Sequence, residues 1–553
     1  MSTPDYSTET LDRIRKLERI RALWVNPFAT KFNMTHPIGK IVEMYPSSID
    51  PTLQDSNTPR FRTVEEVIAS PTSDIAVAWR VMLHRSFGKI CFSTISDGTG
   101  RIQVLFSREN CSINIDGEWK SELIPVILSG AKDPEMDSST KSQNDGTTEP
   151  VSAYKFAEKL IDLGDFIGVK WELFYTHKWE LTLFVKEFTF LTKAIRPLPE
   201  KWSGITDDDE RYRKRYLDMT MDDELRAMFV RKSKFWKATR DFLLEKGFLE
   251  VDTPTLEHTT GWAEARPFAT HHHDYDVDVY LRISIGELWQ KRLMAGGFPK
   301  TFEIGRAFRN EWSSPDHLQE FTNMEFYWGY ADYEMGMSLV EEMYRYIAKM
   351  VYGKTTFFAR GHSFDLADEW RRVDYVSAVR EKTGIDILTA SDVDMRNKLT
   401  ELWVKYDGTN RERLTDTLWK YTRKQISGPA FLTAHPALIS PLAKENAANP
   451  GTVERFQVIL GGSEIGNGYS ELNDPLDQRA RFEKQQSMLM GGDDEAMMPD
   501  WDFVEMLEHG MPPTCGFGFG ERLFAFLEDK PIREVQYFPF MKPIHVAEEK
   551  WEK

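Results

Sequence analysis

Apolar residues at Leu11, Ile14, Leu17 and Ile20 recur at helical spacing among Arg, Lys and Glu, which predicts an amphipathic helix from Leu11 to Trp24. It reads as an N-terminal appendage. From Ile75 to Phe106 the period shortens to two. The runs IAVAWRVMLHR, KICFSTISD and RIQVLFS, punctuated by Gly88, Gly98 and Gly100, predict a β-meander and suggest a small barrel. Ala131 to Val151 is rich in Ser, Thr, Asp, Asn and Pro and has no apolar period, so it is expected as a mobile loop inserted in that barrel. Strand patterns resume between Gly164 and Leu191, and Arg196-Pro197-Leu198-Pro199 then stops the sheet as an interdomain linker. Beyond it, Asp207 to Asp218 and Glu224 to Lys246 have helical composition with Gly247 as a stop, followed by strands and helices in alternation. The pattern divides the chain into a helical extension over 1–60, a β-barrel over 61–197 and a second domain over 198–553, an α+β protein.

Composition sharpens this outline. A chain of 553 residues exceeds what one hydrophobic core organises, so two or three domains are expected. No basic start leads into an apolar run, and no stretch is apolar for long enough to span a membrane, so a cytoplasmic protein without a membrane partner is expected. The net charge of −17 argues against unspecific attraction to a polyanion. A nucleic-acid partner must therefore meet a locally basic or aromatic face, and no DNA partner is expected. Cys91, Cys111 and Cys515 lack paired spacing, which leaves them as incidental thiols. His271, His272 and His273 are adjacent, and neighbours on a strand point to opposite faces, so they do not read as a metal cluster. No GxxxxGK[ST] loop is present, and a nucleotide would have to be gripped by arginines instead.

Three segments of the second domain carry candidate chemistry. GFLEVDTPTL, from Gly247 to Leu256, reads equally as a helix running into a buried strand. FEIGRAFRNEWSSPDHLQEFTNMEFY, from Phe302 to Tyr327, is a strand ending at Arg309, a loop, and a second strand bearing Glu325. A planar guanidinium such as Arg309 can bridge a phosphate and a carboxylate. GFGFGERLFAFL, from Gly516 to Leu527, is a glycine-rich strand entering a helix through Arg522, where small residues leave room for a flat ligand. Their kind and order resemble the signature motifs of class II aminoacyl-tRNA synthetases. VILGGSEIGNGYSELND, from Val458 to Asp474, resembles the lysyl type, and a closed pocket for a lysine side chain should be rich in Glu.

The resemblance implies a catalytic domain with an antiparallel sheet flanked by helices, a homodimer built through Gly247 to Leu256, and lysine–tRNA ligase activity with ATP, L-lysine and tRNA(Lys) as substrates. It implies catalytic roles for Arg309 and Arg522 and an ATP site made of those two with Glu311, His317, Phe321 and Glu464, the last holding Mg²⁺. It also implies a lysine site made of Gly261, Glu287, Arg309, Glu325, Tyr327, Asn467, Tyr469 and Glu471. In the barrel, AWRVMLHRSFGKICFSTISDGTGRIQVLF resembles the OB-fold that reads the anticodon in subclass IIb, with Arg80, Phe92, Gln103 and Glu187 at the matching positions. A lone aromatic such as Phe92 reads equally as barrel core.

The chain departs from the pattern at several points. Gln457 stands where a second metal-binding Glu is usual, Asp316 where an arginine is common, and Trp262 and Trp79 where glycines are usual. The stretch before Arg522 is one residue shorter, and Ile283 to Leu288 one residue longer. Rival readings are a relative charging asparagine or aspartate, an enzyme that lysylates a protein, and a non-enzymatic RNA-binding paralogue.

Overall fold

The computed structural model of the chain describes residues 6–45, 74–124, 150–176, 180–199, 204–259, 265–311, 314–315, 317–406, 410–440, 442–490 and 498–543. Gly261, Trp262, Asp316 and nearly all of the insert expected at 131–151 lie outside them. Two compact units form: residues 1–211 with 216–223, and residues 212–215 with 224–553.

The first unit contains α1 (Thr8–Ala22), α2 (Ile38–Met44), β1 (Ile75–Phe87), β2 (Ile90–Ser96), β3 (Arg101–Ser107), α3 (Ala153–Leu160), β4 (Phe166–Tyr175) and β5 (Leu181–Thr192). Pairing runs β3-β2-β1-β4-β5, and β3 also pairs with β5 in parallel, so the five strands close into a ring. Alternation decides what fills it: Cys91 and Ile95 of β2, Ile102, Val104 and Phe106 of β3, and Leu183 and Val185 of β5 share one core. The intervening positions Leu105 and Phe184 form a separate small cluster with Phe174, against which Phe92 and Trp171 pack.

The first helix is no loose appendage. Ser7 caps it by accepting from the Thr10 N–H, and Ile20, Leu23 and Val25 enter the core of the ring. Arg13, only 4% exposed, donates to the carbonyls of Leu163 (2.8 Å) and Ala194 (3.2 Å). An apolar stripe on a helix must be covered, and here the core residues of the strand ring cover it.

The second unit contains α4 (Asp223–Glu245), β6 (Leu249–Glu250), α5 (Glu287–Ala295), β7 (Lys300–Phe308), β8 (Glu320–Gly329), α6 (Tyr333–Tyr352), β9 (Arg371–Asp374), α7 (Tyr375–Thr383), α8 (Arg411–Arg423), β10 (Ala430–Thr433), β11 (Arg455–Leu460), β12 (Ser463–Ser470), α9 (Trp501–Glu508), β13 (Thr514–Gly520) and α10 (Arg522–Leu527). One eight-stranded sheet runs β6-β7-β8-β13-β12-β11-β10-β9, antiparallel except for the parallel pairs β6/β7 and β9/β10 at its edges. Helices α7 and α8 form a satellite core, where Tyr375, Val379, Leu414, Leu418 and Trp419 meet Leu432 and Ile459 of the sheet. All three cysteines are buried free thiols. Among the described residues, no helix is long and apolar enough to cross a membrane.

Candidate active site

The central strand β13 is built with two different faces. Phe517 and Phe519 pack among Phe326, Tyr344 and Phe456 on one side of the sheet. Gly516, Gly518 and Gly520 alternate with them and leave the other side bare. A Cβ at position 516 would run into Glu471 Oε1, and one at 518 would come within 2.8 Å of Glu325 Cγ. Period-two alternation thus makes a floor onto which acids from neighbouring strands can lie down. Above it opens a cavity of about 630 Å³, whose walls include Glu287, Arg309, Glu325, Tyr327, Glu464, Asn467, Tyr469, Glu471 and Arg522.

At one end three carboxylates are buried, two of them paired with one ammonium. Glu287 opens α5 behind Gly286, whose left-handed backbone (φ 61°) and contact with Thr253 exclude a side chain. Glu287 Oε1 accepts from the Tyr469 hydroxyl at 2.5 Å. Glu325, on β8, accepts from the Ile285 N–H (2.9 Å), Asn323 Nδ2 (3.0 Å) and the Tyr327 hydroxyl (3.1 Å). Glu471 is 1% exposed; its Oε2 lies 2.6 Å from Lys291 Nζ, and its Oε1 has no hydrogen-bond partner among the described residues. Lys291 also reaches Glu287 at 3.3 Å, because the two stand four apart on α5.

Burial and the neighbouring Glu287 push the Glu325 carboxyl up to about 7. Burial pushes Glu471 up to about 8, even though Lys291 pulls it down. Burial likewise works against the Lys291 ammonium, but Glu471 and Glu287 outweigh it and hold its pKa above the ordinary value. The ammonium therefore stays charged, and Glu325 and Glu471 are the groups that titrate near neutrality.

The other end is more open. Arg309 extends past the end of β7, its backbone N–H bonded to the Gln319 carbonyl (2.8 Å), its Nε donating to Ile283 O (3.3 Å) and its guanidinium 5.4 Å from the Phe321 ring centre. Burial lowers its pKa while Glu311, Glu325 and Glu287 oppose that, and it remains a cation. Glu311 and Phe321 are half-buried close by, and His317 is exposed with its Nδ1 2.7 Å from Ser314 Oγ. Arg522 begins α10 directly after the glycine strand. Asn467 Oδ1 accepts from Arg455 Nε at 2.8 Å.

Glu464 is engaged by two groups from α8, Trp419 Nε1 at 2.5 Å and Arg423 Nη1 at 3.1 Å. Gln457 Oε1 lies 3.2 Å from Nε2 of His435, a buried imidazole whose pKa is pushed down to about 3 by burial and by Arg455. Among the described residues no group of three His, Cys, Asp or Glu side chains could hold a metal. One carboxylate beside a neutral amide suits a Mg²⁺ that brings most of its ligands with it as phosphate and water, and not a caged ion.

In the first unit, Phe92 stands outside the main core of the ring, abreast of Leu105 on β3 and, across the next pairing, Phe184 on β5. Gln103 Oε1 accepts from Thr182 Oγ1 at 2.9 Å, two positions back along β3 from Leu105, whereas Glu187 lies three positions beyond Phe184 and pairs with Lys170 at 3.6 Å. Arg80 stacks on Phe166 at 4.4 Å from its ring centre, and the exposed Trp79 meets the same ring edge-on.

Sequence reasoning missed Lys291, Arg455, Trp419, Arg423 and His435. The spacing of Glu287 and Lys291 was a signal for the first, and the step from Arg455 to Gln457 along one strand face a signal for the second. The other three come from the segment 354–433 or just after it and carry no motif.

Comparison with known proteins agrees with this geometry. The family model for class II tRNA synthetases (D, K and N) matches residues 207–542. The chain is 38% identical to the lysine–tRNA ligase of Thermotoga maritima over 98% of this chain and 97% of that protein. It is 39% identical to that of Halalkalibacterium halodurans over 96% of each, and 37% identical to that of Moorella thermoacetica over 96% and 97%. Likeness at this level across nearly the whole length, with the family model over the unit that holds the cavity, means that the chain belongs to the class II tRNA synthetases and, within them, to the lysine–tRNA ligase family.

Proposed function

We propose that the chain activates L-lysine with ATP to lysyl-adenylate, releasing pyrophosphate, and transfers the lysyl group to the 3′ end of tRNA(Lys). The observation that carries this reading is Glu471, a fully buried carboxylate in the wall of a cavity lined by further acids and tyrosines, whose Oε1 has no hydrogen-bond partner among the described residues. An orphaned buried acceptor is costly, and an arriving ammonium removes the cost. Glu471 and Tyr327 would meet the lysine ε-ammonium, with Tyr469 lining its path. Glu287, with Glu325 and the backbone at Gly261, would hold the α-amine, and Asn467 with Arg309 the carboxylate.

The lysine carboxylate then attacks the α-phosphorus in line, and pyrophosphate leaves. Arg309, anchored on Ile283, takes up charge between the two reactants. Glu311 and Phe321 offer the adenine a hydrogen-bonding edge and a stacking face, His317 reaches towards the phosphates, and Arg522 covers the nucleotide from α10. Mg²⁺, carried on ATP, would be held at Glu464 and would neutralise phosphate charge. No covalent enzyme intermediate is required. The ring of the first unit acts as an OB-fold that reads the anticodon through Phe92, Gln103, Glu187 and Arg80, and the enzyme works as a homodimer.

Exchange of pyrophosphate into ATP, measured with each of the twenty amino acids and no tRNA, tests the activation step. Exchange with lysine alone is the expected result. Exchange with asparagine or aspartate would assign the chain to a sister specificity, and none at all would favour an RNA-binding paralogue, for which Gln457 and Asp316 speak and against which Arg309, Glu464 and Arg522 stand.

A further inference from the structure

The ammonium cage is already occupied by the chain itself. Lys291 Nζ lies 2.6 Å from Glu471 and 3.3 Å from Glu287, and within 5.7 to 5.9 Å of the ring centres of Tyr327, Tyr469 and Phe503. Two carboxylates and three aromatic faces are what an alkyl ammonium needs when stripped of water. Its side chain is 2% exposed, so this is a fixed element of the site and not a surface pair.

We propose that Lys291 is a positioning residue for lysine selection: paired with Glu471 and Glu287, it fixes the Glu471 carboxylate in the cavity wall and favours its ionised form for the incoming ε-ammonium. The inference rests on the lysine reading of the cavity and deepens it. Charge counting supports the arrangement. With both acids ionised, Glu287 and Glu471 against Lys291 leave one excess negative charge, which an arriving ammonium cancels. Without Lys291, Glu287 and Glu471 would face each other without the cation they share, and like charges at such range hold their protons.

Among the described residues, the groups that face the ammonium or stand next to those that do come from several elements. Glu287 comes from its own helix, Glu325 and Tyr327 from β8, Tyr469 from β12 and Glu471 from the residue after β12. Phe503 comes from α9, where Asp500 is engaged by Arg292 at 3.0 Å. Lys291 acts to lower both Glu325 and Glu471.

The test is lysine-dependent pyrophosphate exchange by the full-length chain and by Lys291→Met, each also in a Glu471→Gln background. The expected result is a lysine KM raised about tenfold or more in Lys291→Met with the ATP KM unchanged, and a pH profile of lysine KM displaced to higher pH. In the Glu471→Gln background the same change should have little further effect, because the two residues act as one unit. An unchanged lysine KM, a lowered one, or an effect of equal size in both backgrounds would overturn the proposal. If Lys291→Met does not fold, Lys291→Gln takes its place. Failure of both to fold while Lys291→Arg folds would reduce Lys291 to a scaffold role and also overturn it. If the unaltered chain shows no exchange with lysine, the functional reading fails and takes this inference with it, whereas a normal unaltered chain with a normal variant removes the inference alone.

Discussion

The two ends of the cavity are built on opposite principles. At the amino-acid end, Glu287, Glu325 and Glu471 are 8%, 8% and 1% exposed, and each is fixed by a tyrosine, a backbone N–H or Lys291. At the nucleotide end, His317 is exposed, Phe321 and Arg522 are half-buried, and Glu464 is tied to Arg423 and Trp419. Selection needs dryness, because a missing ammonium then leaves buried acids unpaired. A polyphosphate brings its own charge and metal, and an open end can serve every turnover with the same ligand. Arg309 stands where the two regimes meet.

Arg309→Ala should therefore do the most damage, lowering exchange about 1000-fold through kcat, because it removes the donor that bridges the reactants. Burst or single-turnover measurement of adenylate formation would check it. Glu471→Gln comes next: lysine KM should rise about 100-fold while ATP KM holds, since a buried ammonium loses its charged partner. A loss spread equally over both substrates would erase the contrast between the ends.

The pH dependence sharpens the same contrast. The Glu325 and Glu471 carboxyls titrate at about 7 and about 8 in the folded chain, against an ordinary value of 4.5. Ammonium binding needs them ionised, so lysine KM should fall by up to about tenfold per pH unit as pH rises towards 8, while ATP KM changes little. Stability runs the other way. Between the unfolded and folded pKa values the folded chain binds more protons, so the unliganded protein should lose stability as pH rises through that window. Thermal melts with and without saturating lysine would reveal it, lysine flattening the slope. The smallest effect is expected at the open end: Gln457→Glu should lower the Mg²⁺ concentration for half-maximal exchange a few-fold, read from a Mg²⁺ titration at fixed ATP.

Much of this was legible along the chain. The alternation of GFGFG foretells a strand with one bare face, and the acids of the lysine segment carry their own chemistry. The period-two runs from Ile75 to Phe106 fold as β1 to β3. Burial was not legible. Glu287 and Lys291 have the spacing of an ordinary solvated helix pair, and only tertiary packing makes them the heart of the site. The first helix was visible within three residues at each end, whereas its place in the core of the strand ring depends on carbonyls at Leu163 and Ala194 that no local pattern announces. Phe92 was ambiguous between core and surface because parity along one strand does not say which side is closed. The partners of Glu464 arrive from α8, which no motif marks.

The burial of the Lys291 cluster has a consequence for how the two halves of the reaction respond to ionic strength. Counter-ions cannot reach charges enclosed by Tyr327, Tyr469 and Phe503, so added salt should leave lysine activation almost untouched. RNA docking on a chain of net charge −17 depends on local cations at the surface and is screened by the same salt. Potassium chloride alone should then uncouple the two steps, stalling transfer while the adenylate continues to form.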